Sequence, residues 1–210
     1  MAFGAAAGVA WLGRNLDFNR PTRIDRRVRR MARAKSMNSV RVLLSPLFPI
    51  GLPGTYITVA HATSYWLRRR RKHGGPAIVS AAWLGWLVHR AVKLGYQRER
   101  PLRPGVRRRT DSYPSGHTTG TTALAFTLGY VLFREGVISK NSAAAIAFGA
   151  PVLMGAHRVI ADDHWVTDVV GGWMLGGAIA LGVSGAGPRH RNASESRVRP
   201  LRCMTVSASR

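Results

Sequence analysis

The sequence predicts an all-α fold, a polytopic transmembrane helix bundle of about five spanning helices preceded by a basic amphipathic helix. Three observations predict it. Residues 42–67, 74–89, 118–133, 141–156 and 169–188 contain no Lys, Arg, Asp or Glu. Basic clusters punctuate these runs, most sharply the unbroken series Arg68 to Lys72. The 210-residue chain also combines a net charge of +23 with a mean hydropathy of −0.05, so the near-zero average is the mean of a very apolar population and a very basic one. Spread evenly, that charge would describe a soluble nucleic-acid binder; its segregation removes nucleic acid as the expected partner. Composition further excludes an acidic disordered chain and a large multidomain enzyme. With Cys203 as the single cysteine, it also excludes a disulfide scaffold.

The elements follow in order. Met1 to Gly13 are small and apolar but stop short of the ~20 residues that a spanning helix needs. No positive charge precedes them, as a signal peptide would require, so a membrane-dipping or truncated helix is expected. Residues 14–41 carry ten Lys or Arg, with Ile24, Val28 and Met31 at helical spacing. That pattern suits a basic amphipathic helix on a membrane surface, with a solvated basic arm as the alternative. Together residues 1–41 form an N-terminal region ahead of a membrane domain, residues 42–188.

Within that domain, residues 42–67 are long enough to cross a bilayer, with Pro46, Pro49 and Pro53 bending the first half. The second run, 74–89, is extended by snorkelling Arg90 and ends near Lys93. Runs three and four, 118–133 and 141–156, are joined by a short loop, and both are only 16 residues, about 24 Å of helix. They therefore borrow flanking polar residues to span ~30 Å of hydrocarbon. The fifth run, 169–188, offers Gly171, Gly172, Gly176 and Gly177 as a small-residue face for close packing. A soluble bundle is the alternative, but five fully uncharged runs leave it no polar outer face. Residues 189–210 are basic and Ser-rich and read as a disordered tail containing a formal glycosylation triplet at Asn192.

Parity then gathers the chemistry. Because consecutive spans alternate direction, the end of span two, the start of span three and the junction of spans four and five share one membrane face. That face collects Lys93, Arg100, Ser115, His117, Arg158, His164 and Asp168. Convergent cations with two histidines and a carboxylate are what transfer of an anionic group such as phosphoryl requires. The cations offset charge on the equatorial oxygens, one imidazole attacks, and another group protonates the leaving oxygen. The spacing His164-x3-Asp168 could alternatively hold a metal, but a closed site needs three or four ligands, and no Cys or Glu cluster supplies the rest. Asp162 and Asp163 read as a loop-to-helix cap and local balance for the arginines. His61 and His89 read as satisfied core histidines, and the tryptophans near span ends as interfacial anchors.

Lys93-x6-Arg100-Pro101, Pro114-Ser115-Gly116-His117 and Arg158-x5-His164-x3-Asp168 together resemble the three-part signature of the type 2 phosphatidic acid phosphatase superfamily. The resemblance covers roughly residues 40–188. It implies that His164 is a nucleophile forming a phosphohistidine, that Asp168 orients its imidazole, and that His117 is the general acid. It further implies that Lys93, Arg100 and Arg158 hold the phosphoryl oxygens, and that Ser115 and the Gly116 N–H complete the cradle. No metal or other cofactor is implied. One departure is His157, where the family usually has Ser before the third-motif Arg; it bears on substrate preference more than on catalysis.

The resemblance implies a lipid-borne phosphate or diphosphate as substrate and a multi-pass protein of the cell membrane with an extracytoplasmic active site. Polyprenyl diphosphate, phosphatidate, phosphatidylglycerol phosphate and a polyprenyl-linked sugar phosphate are the candidates. Charge counting does not set the orientation. One side holds 13 Lys or Arg, while the active-site side holds ten in residues 14–41 and six in residues 97–117. Arg103, Arg107, Arg108 and Arg109, just before the Pro-Ser-Gly-His motif, could recruit anionic head groups, and anionic lipid of the bilayer is the second expected partner. Haloperoxidases of the same superfamily are soluble, which the five uncharged runs disfavour. A non-enzymatic basic membrane protein would bind anionic lipid without needing His117 and His164.

Overall fold

The computed structural model describes residues 2–16, 20–102, 105, 107 and 109–185, and every described element is helical. Arg103, Arg108, Cys203, the triplet at Asn192 and the tail 189–210 lie outside the described residues. In chain order the α-helices are α1 (Ala2–Asn15), α2 (Arg23–Ala32), α3 (Asn38–Leu44), α4 (Pro53–Arg69), α5 (Gly75–Gly95), α6 (Gly116–Arg134), α7 (Lys140–Ala144), α8 (Ala150–Ile160) and α9 (Val166–Gly185). A single π-helical turn, Ala145–Gly149, joins α7 to α8. Lys140–Ile160 and Val166–Gly185 are the two helices, among the described residues, long and apolar enough to cross a membrane by length and composition. Helix α5 is as long, at 21 residues, but carries Arg90 and Lys93 in its last turns.

Helix α6 is the axis of the bundle. Its face of Thr118, Thr119 and Thr122 is buried, and the Thr119 and Thr122 hydroxyls donate to carbonyls four residues back, Ser115 O and Thr118 O. This satisfies the polar groups without a neighbour and leaves a surface that another backbone can approach. Helix α9 does so through glycine: a Cβ on Gly176 would lie 2.6 Å from both Thr119 O and Thr122 Cβ, and one on Gly172 would lie 2.9 Å from Ser115 O. Gly171 meets the Tyr113 ring instead, and Gly177 faces open space, so the expected four-glycine face is a two-glycine contact against α6. Tyr56, Ala60, Leu67, Ile78, Ala82, Leu124 and Val131 form a core among α4, α5 and α6.

The first apolar run departs from expectation. Residues 42–67 do not form one helix: α3 ends at Leu44, short 3₁₀ turns occupy Ser45–Leu47 and Pro49–Gly51, and α4 starts at Pro53. Three prolines within eight residues remove backbone donors and crowd the preceding turns, so they break the helix rather than bend it. The continuous helical part, α4, has 17 residues.

The N-terminal region forms two helices, as its sequence suggests, and both are docked on the bundle. Helix α1 packs along α9, with Val9 and Leu16 buried beside Tyr113 and Leu175, and the Tyr113 hydroxyl donates to Val9 O at 2.9 Å. Helix α2 starts with a capping box in which the Thr22 hydroxyl accepts from Asp25 N and the Asp25 carboxylate accepts from Thr22 N. It presents Ile24 and Met31 outward while Asp25 is buried in the body of the protein. A strongly basic helix can dock this way because its one acidic residue is turned inward.

Candidate active site

Five chain segments build the site. Lys93, in the last turn of α5, donates from Nζ to Asp111 O at 2.8 Å and lies 3.7 Å from the Asp111 carboxylate. Arg100, in the extended segment after α5, donates from Nε to Asp111 Oδ1 at 2.9 Å and from a terminal nitrogen to Asp163 O at 3.2 Å. Burial alone would push the Asp111 carboxyl up, but hydrogen bonds and charge from Arg100, with Lys93 and Arg109, hold it well below the usual carboxylate range. Asp111 thus fixes two cations side by side. Arg109, more than half exposed, lies on its outer face.

Ser115 immediately precedes α6 and is fully buried; its hydroxyl accepts from Thr118 Oγ1 at 3.0 Å, and its N–H donates to Asp168 O at 3.0 Å. Gly116 opens the helix with no side chain because His89 Nε2 would lie 2.7 Å from a Cβ there. His89 is buried and bonded to Gly85 O at 3.0 Å, beneath the start of α6. His117 follows. Its Nε2 is buried without a hydrogen-bond partner among the described residues, and its ring tilts against Phe48 at 5.2 Å between centroids. Phe48 also meets the His157 ring edge-on at 6.5 Å and lies 5.5 Å from the Arg158 guanidinium. The proline-broken segment thereby becomes a wall of the site.

The last segment turns from α8 into α9. Arg158 pairs with Asp163 at 2.9 Å, and Arg29 of α2 holds Asp162 at 2.7 Å. Asp162 sits at φ 58°, a left-handed conformation that a short polar side chain tolerates, and its turn delivers the chain to His164. His164 Nδ1 lies 3.5 Å from Asp168 Oδ2 and is buried without a hydrogen-bond partner among the described residues. Asp168 is fully buried. Its Oδ2 accepts from the Ser112 hydroxyl at 2.5 Å and from Trp165 N at 2.9 Å, and its Oδ1 accepts from Arg98 at 2.6 Å. Burial, followed by the charges of Arg100, Arg158, Lys93 and His117, pushes the His164 imidazole well below the ordinary histidine value. Each of these charges disfavours a further positive charge on the imidazole.

A profile of the PAP2 superfamily matches residues 84–191, just over half of the chain. The chain belongs to the PAP2 superfamily.

Among curated relatives, phosphatidylglycerophosphatase B of Bacillus subtilis (strain 168) is 34% identical over 94 residues, 43% of this chain and 46% of the relative. The chain thus aligns with about half the length of that relative. The crystal structure of a transmembrane PAP2-type phosphatidylglycerolphosphate phosphatase from Bacillus subtilis superposes with a TM-score of 0.72 over 94% of this chain and 98% of that one, at 20% identity. That likeness is one of fold, and it extends well beyond the stretch matched by the PAP2 profile.

The structure therefore brings together, on one end of the PAP2 bundle, Lys93, Arg100, Ser115, Gly116, His117, Arg158, His164 and Asp168. Sequence reasoning missed four contributors. Asp111 and Phe48 carried no spacing signal, and Ser112 gave none beyond its nearness to the Pro-Ser-Gly-His motif. Arg98 lies inside the Lys93 to Arg100 interval and is almost fully buried; two arginines flanking one glutamate before a proline was the available clue. Trp165 is no interfacial anchor: it is buried, donates from Nε1 to Glu99 O at 2.8 Å, and lies beneath the guanidinium groups of Arg29 and Arg98. His61 is exposed, accepting from Trp83 Nε1 at 3.1 Å, and is not a core histidine.

Proposed function

We propose that this protein is a multi-pass membrane phosphatase that removes phosphate from a lipid phosphate through a phosphohistidine on His164, without a metal. The observation that carries the reading is the buried His164, backed by Asp168 on one ring nitrogen and subject to the charges of Lys93, Arg100 and Arg158. With Nδ1 turned to Asp168, the opposite ring nitrogen, Nε2, is the attacking atom. It bonds to phosphorus as the bond to the lipid oxygen breaks, and His117 gives that oxygen its proton. Water then attacks phosphorus and returns a proton to His117. The N–P bond breaks, releasing inorganic phosphate and restoring the neutral imidazole. The three cations, Ser115 and the Gly116 N–H at the start of α6 take the oxygens, where the helix N-terminus favours negative charge.

Five spans, α4, α5, α6, α7–α8 and α9, set this cluster at one membrane face, which we take as the extracytoplasmic one. Fourteen helical residues of α1 dock on α9. A substrate anchored in the bilayer reaches the cluster laterally, so its chains stay in hydrocarbon while its head group meets the cations. The name of the Bacillus relative makes phosphatidylglycerol phosphate the first substrate to test, ahead of phosphatidate and polyprenyl diphosphate. The test is a panel of these lipids assayed with the purified protein and His164→Ala side by side. Phosphate release by the parent alone is expected; equal release by both removes His164 as nucleophile.

A further inference from the structure

We propose that Asp25, on the N-terminal helix α2, is a positioning residue for His164, acting through Arg98 and Asp168. Arg98 lies between two carboxylates: one terminal nitrogen bonds Asp25 Oδ2 at 2.7 Å and the other bonds Asp168 Oδ1 at 2.6 Å. All three side chains are essentially sealed from solvent, at 1%, 1% and 0% exposure for Asp25, Arg98 and Asp168. Thr167 closes the arrangement, its N–H and hydroxyl both reaching Asp25 Oδ1, at 3.1 and 2.9 Å. The PAP2 match begins at residue 84, so Asp25 is supplied from outside the stretch that defines the family.

The chemistry follows from charge. When both carboxylates are ionised, they outweigh the one guanidinium by a single negative charge in a buried interior, and the oxygen that carries it toward the site is Asp168 Oδ2, the atom facing His164. While Asp25 shares the guanidinium, Arg98 is neutralised from behind and Asp168 keeps its negative potential for the imidazole. Without that sharing, Arg98 draws the whole of its compensation from Asp168, and the cationic imidazole that forms when His164 takes a phosphoryl group loses its counter-charge. The same helix grips the histidine loop a second time, through the Arg29 pair with Asp162, and Arg41 of α3 donates to Ile160 O at 3.0 Å at the end of α8. The N-terminal segment therefore holds the 157–168 turn from three sides, which a basic arm serving only to attract membrane would not do.

The proposal rests on the phosphohistidine reading, and its test separates the two. The full-length protein in mixed micelles with phosphatidate is assayed for kcat, KM and inhibition by orthovanadate, with a parallel thermal melt. Asp25→Asn removes one charge at nearly constant volume, and kcat is expected to fall by about 10- to 100-fold with KM and vanadate inhibition within about twofold of the parent. Asp25→Glu, which restores the charge, should recover most of the loss. In the double variant with Asp168→Asn, the Asp25 change should add nothing further, because one acts through the other. Arg27→Gln, exposed on the same helix, should leave kcat unchanged. A parent-like kcat for Asp25→Asn, losses that multiply in the double variant, or an equal loss for Arg27→Gln overturns the proposal. Should Asp25→Asn not fold, Thr167→Val, which removes the hydroxyl that donates to Asp25 and accepts from Arg98 at 2.6 Å, carries the same cycle with Asp168→Asn, and multiplied losses again overturn it. If the parent and His164→Ala release phosphate equally, the phosphohistidine reading itself has failed, and the Asp25 relay fails with it.

Discussion

The Nδ1 atom of His164 lies 3.5 Å from Oδ2 of Asp168, and both side chains are buried. The carboxylate cannot turn away, because Ser112, Trp165 N and Arg98 hold its two oxygens. Asp168→Asn should therefore leave the fold in place and lower kcat by about 10³-fold or more, through loss of the imidazolium counter-charge and of the ring's preferred tautomer. Steady-state kinetics with a lipid phosphate, alongside a melt of each variant, check this; a loss below tenfold would contradict it.

The pH profile should carry a signature of burial. An imidazole held well below the ordinary histidine value keeps its lone pair as the pH falls, so the nucleophile remains competent under mildly acidic conditions. The acid limb of kcat/KM due to His164 should lie below about pH 6.5, the ordinary value for histidine. Measuring kcat/KM across mildly acidic pH, with a substrate whose own ionisation is corrected for, tests it; a His164-dependent limb centred at the ordinary value would be inconsistent with this site.

His117 offers a test by leaving group. As the proton donor, it matters most when the departing oxygen is a poor leaving group. His117→Ala should slow hydrolysis of an alkyl phosphate by about 10²- to 10⁴-fold and that of a nitrophenyl phosphate far less. Equal losses on both would remove the proton-donor role.

The contact between α6 and α9 predicts opposite outcomes for two neighbouring glycines. Gly176→Ala drives a methyl group against Thr119 O, a backbone atom that cannot swing aside, and should destabilise by about 1–3 kcal/mol. Gly177→Ala meets nothing within 4 Å and should be neutral or slightly stabilising. Thermal melts of the two variants in one detergent provide the comparison.

Much of this architecture could be read from composition because it depends on spacing. Uncharged runs mark helices, and parity between them brought Lys93, Ser115, His117 and His164 to one end without any knowledge of packing. What escaped depends on contacts between distant segments. Asp25 carries no sequence signal, since nothing local distinguishes a carboxylate destined for the interior from a solvated one. The break in residues 42–67 was foreseeable in kind from its prolines, but not its use: Phe48 reaches His117 because the broken chain turns back over the site. Trp165 misled for the same reason, an amphipathic ring near a helix end being equally suited to an interface or to a stack beneath arginines.

The hydrogen bond from Ser115 N to Asp168 O has a mechanical meaning. It staples the first turn of α6 to that of α9, so the anion cradle and the support of the nucleophile belong to one rigid floor, further locked by glycine contact along both helices. Such a floor has little freedom to adapt its shape to each head group. Accommodation of differently sized lipids falls instead to walls that meet the site by ring packing, chiefly the Phe48 segment, and variation between PAP2 relatives in what they accept should be sought there rather than in the floor.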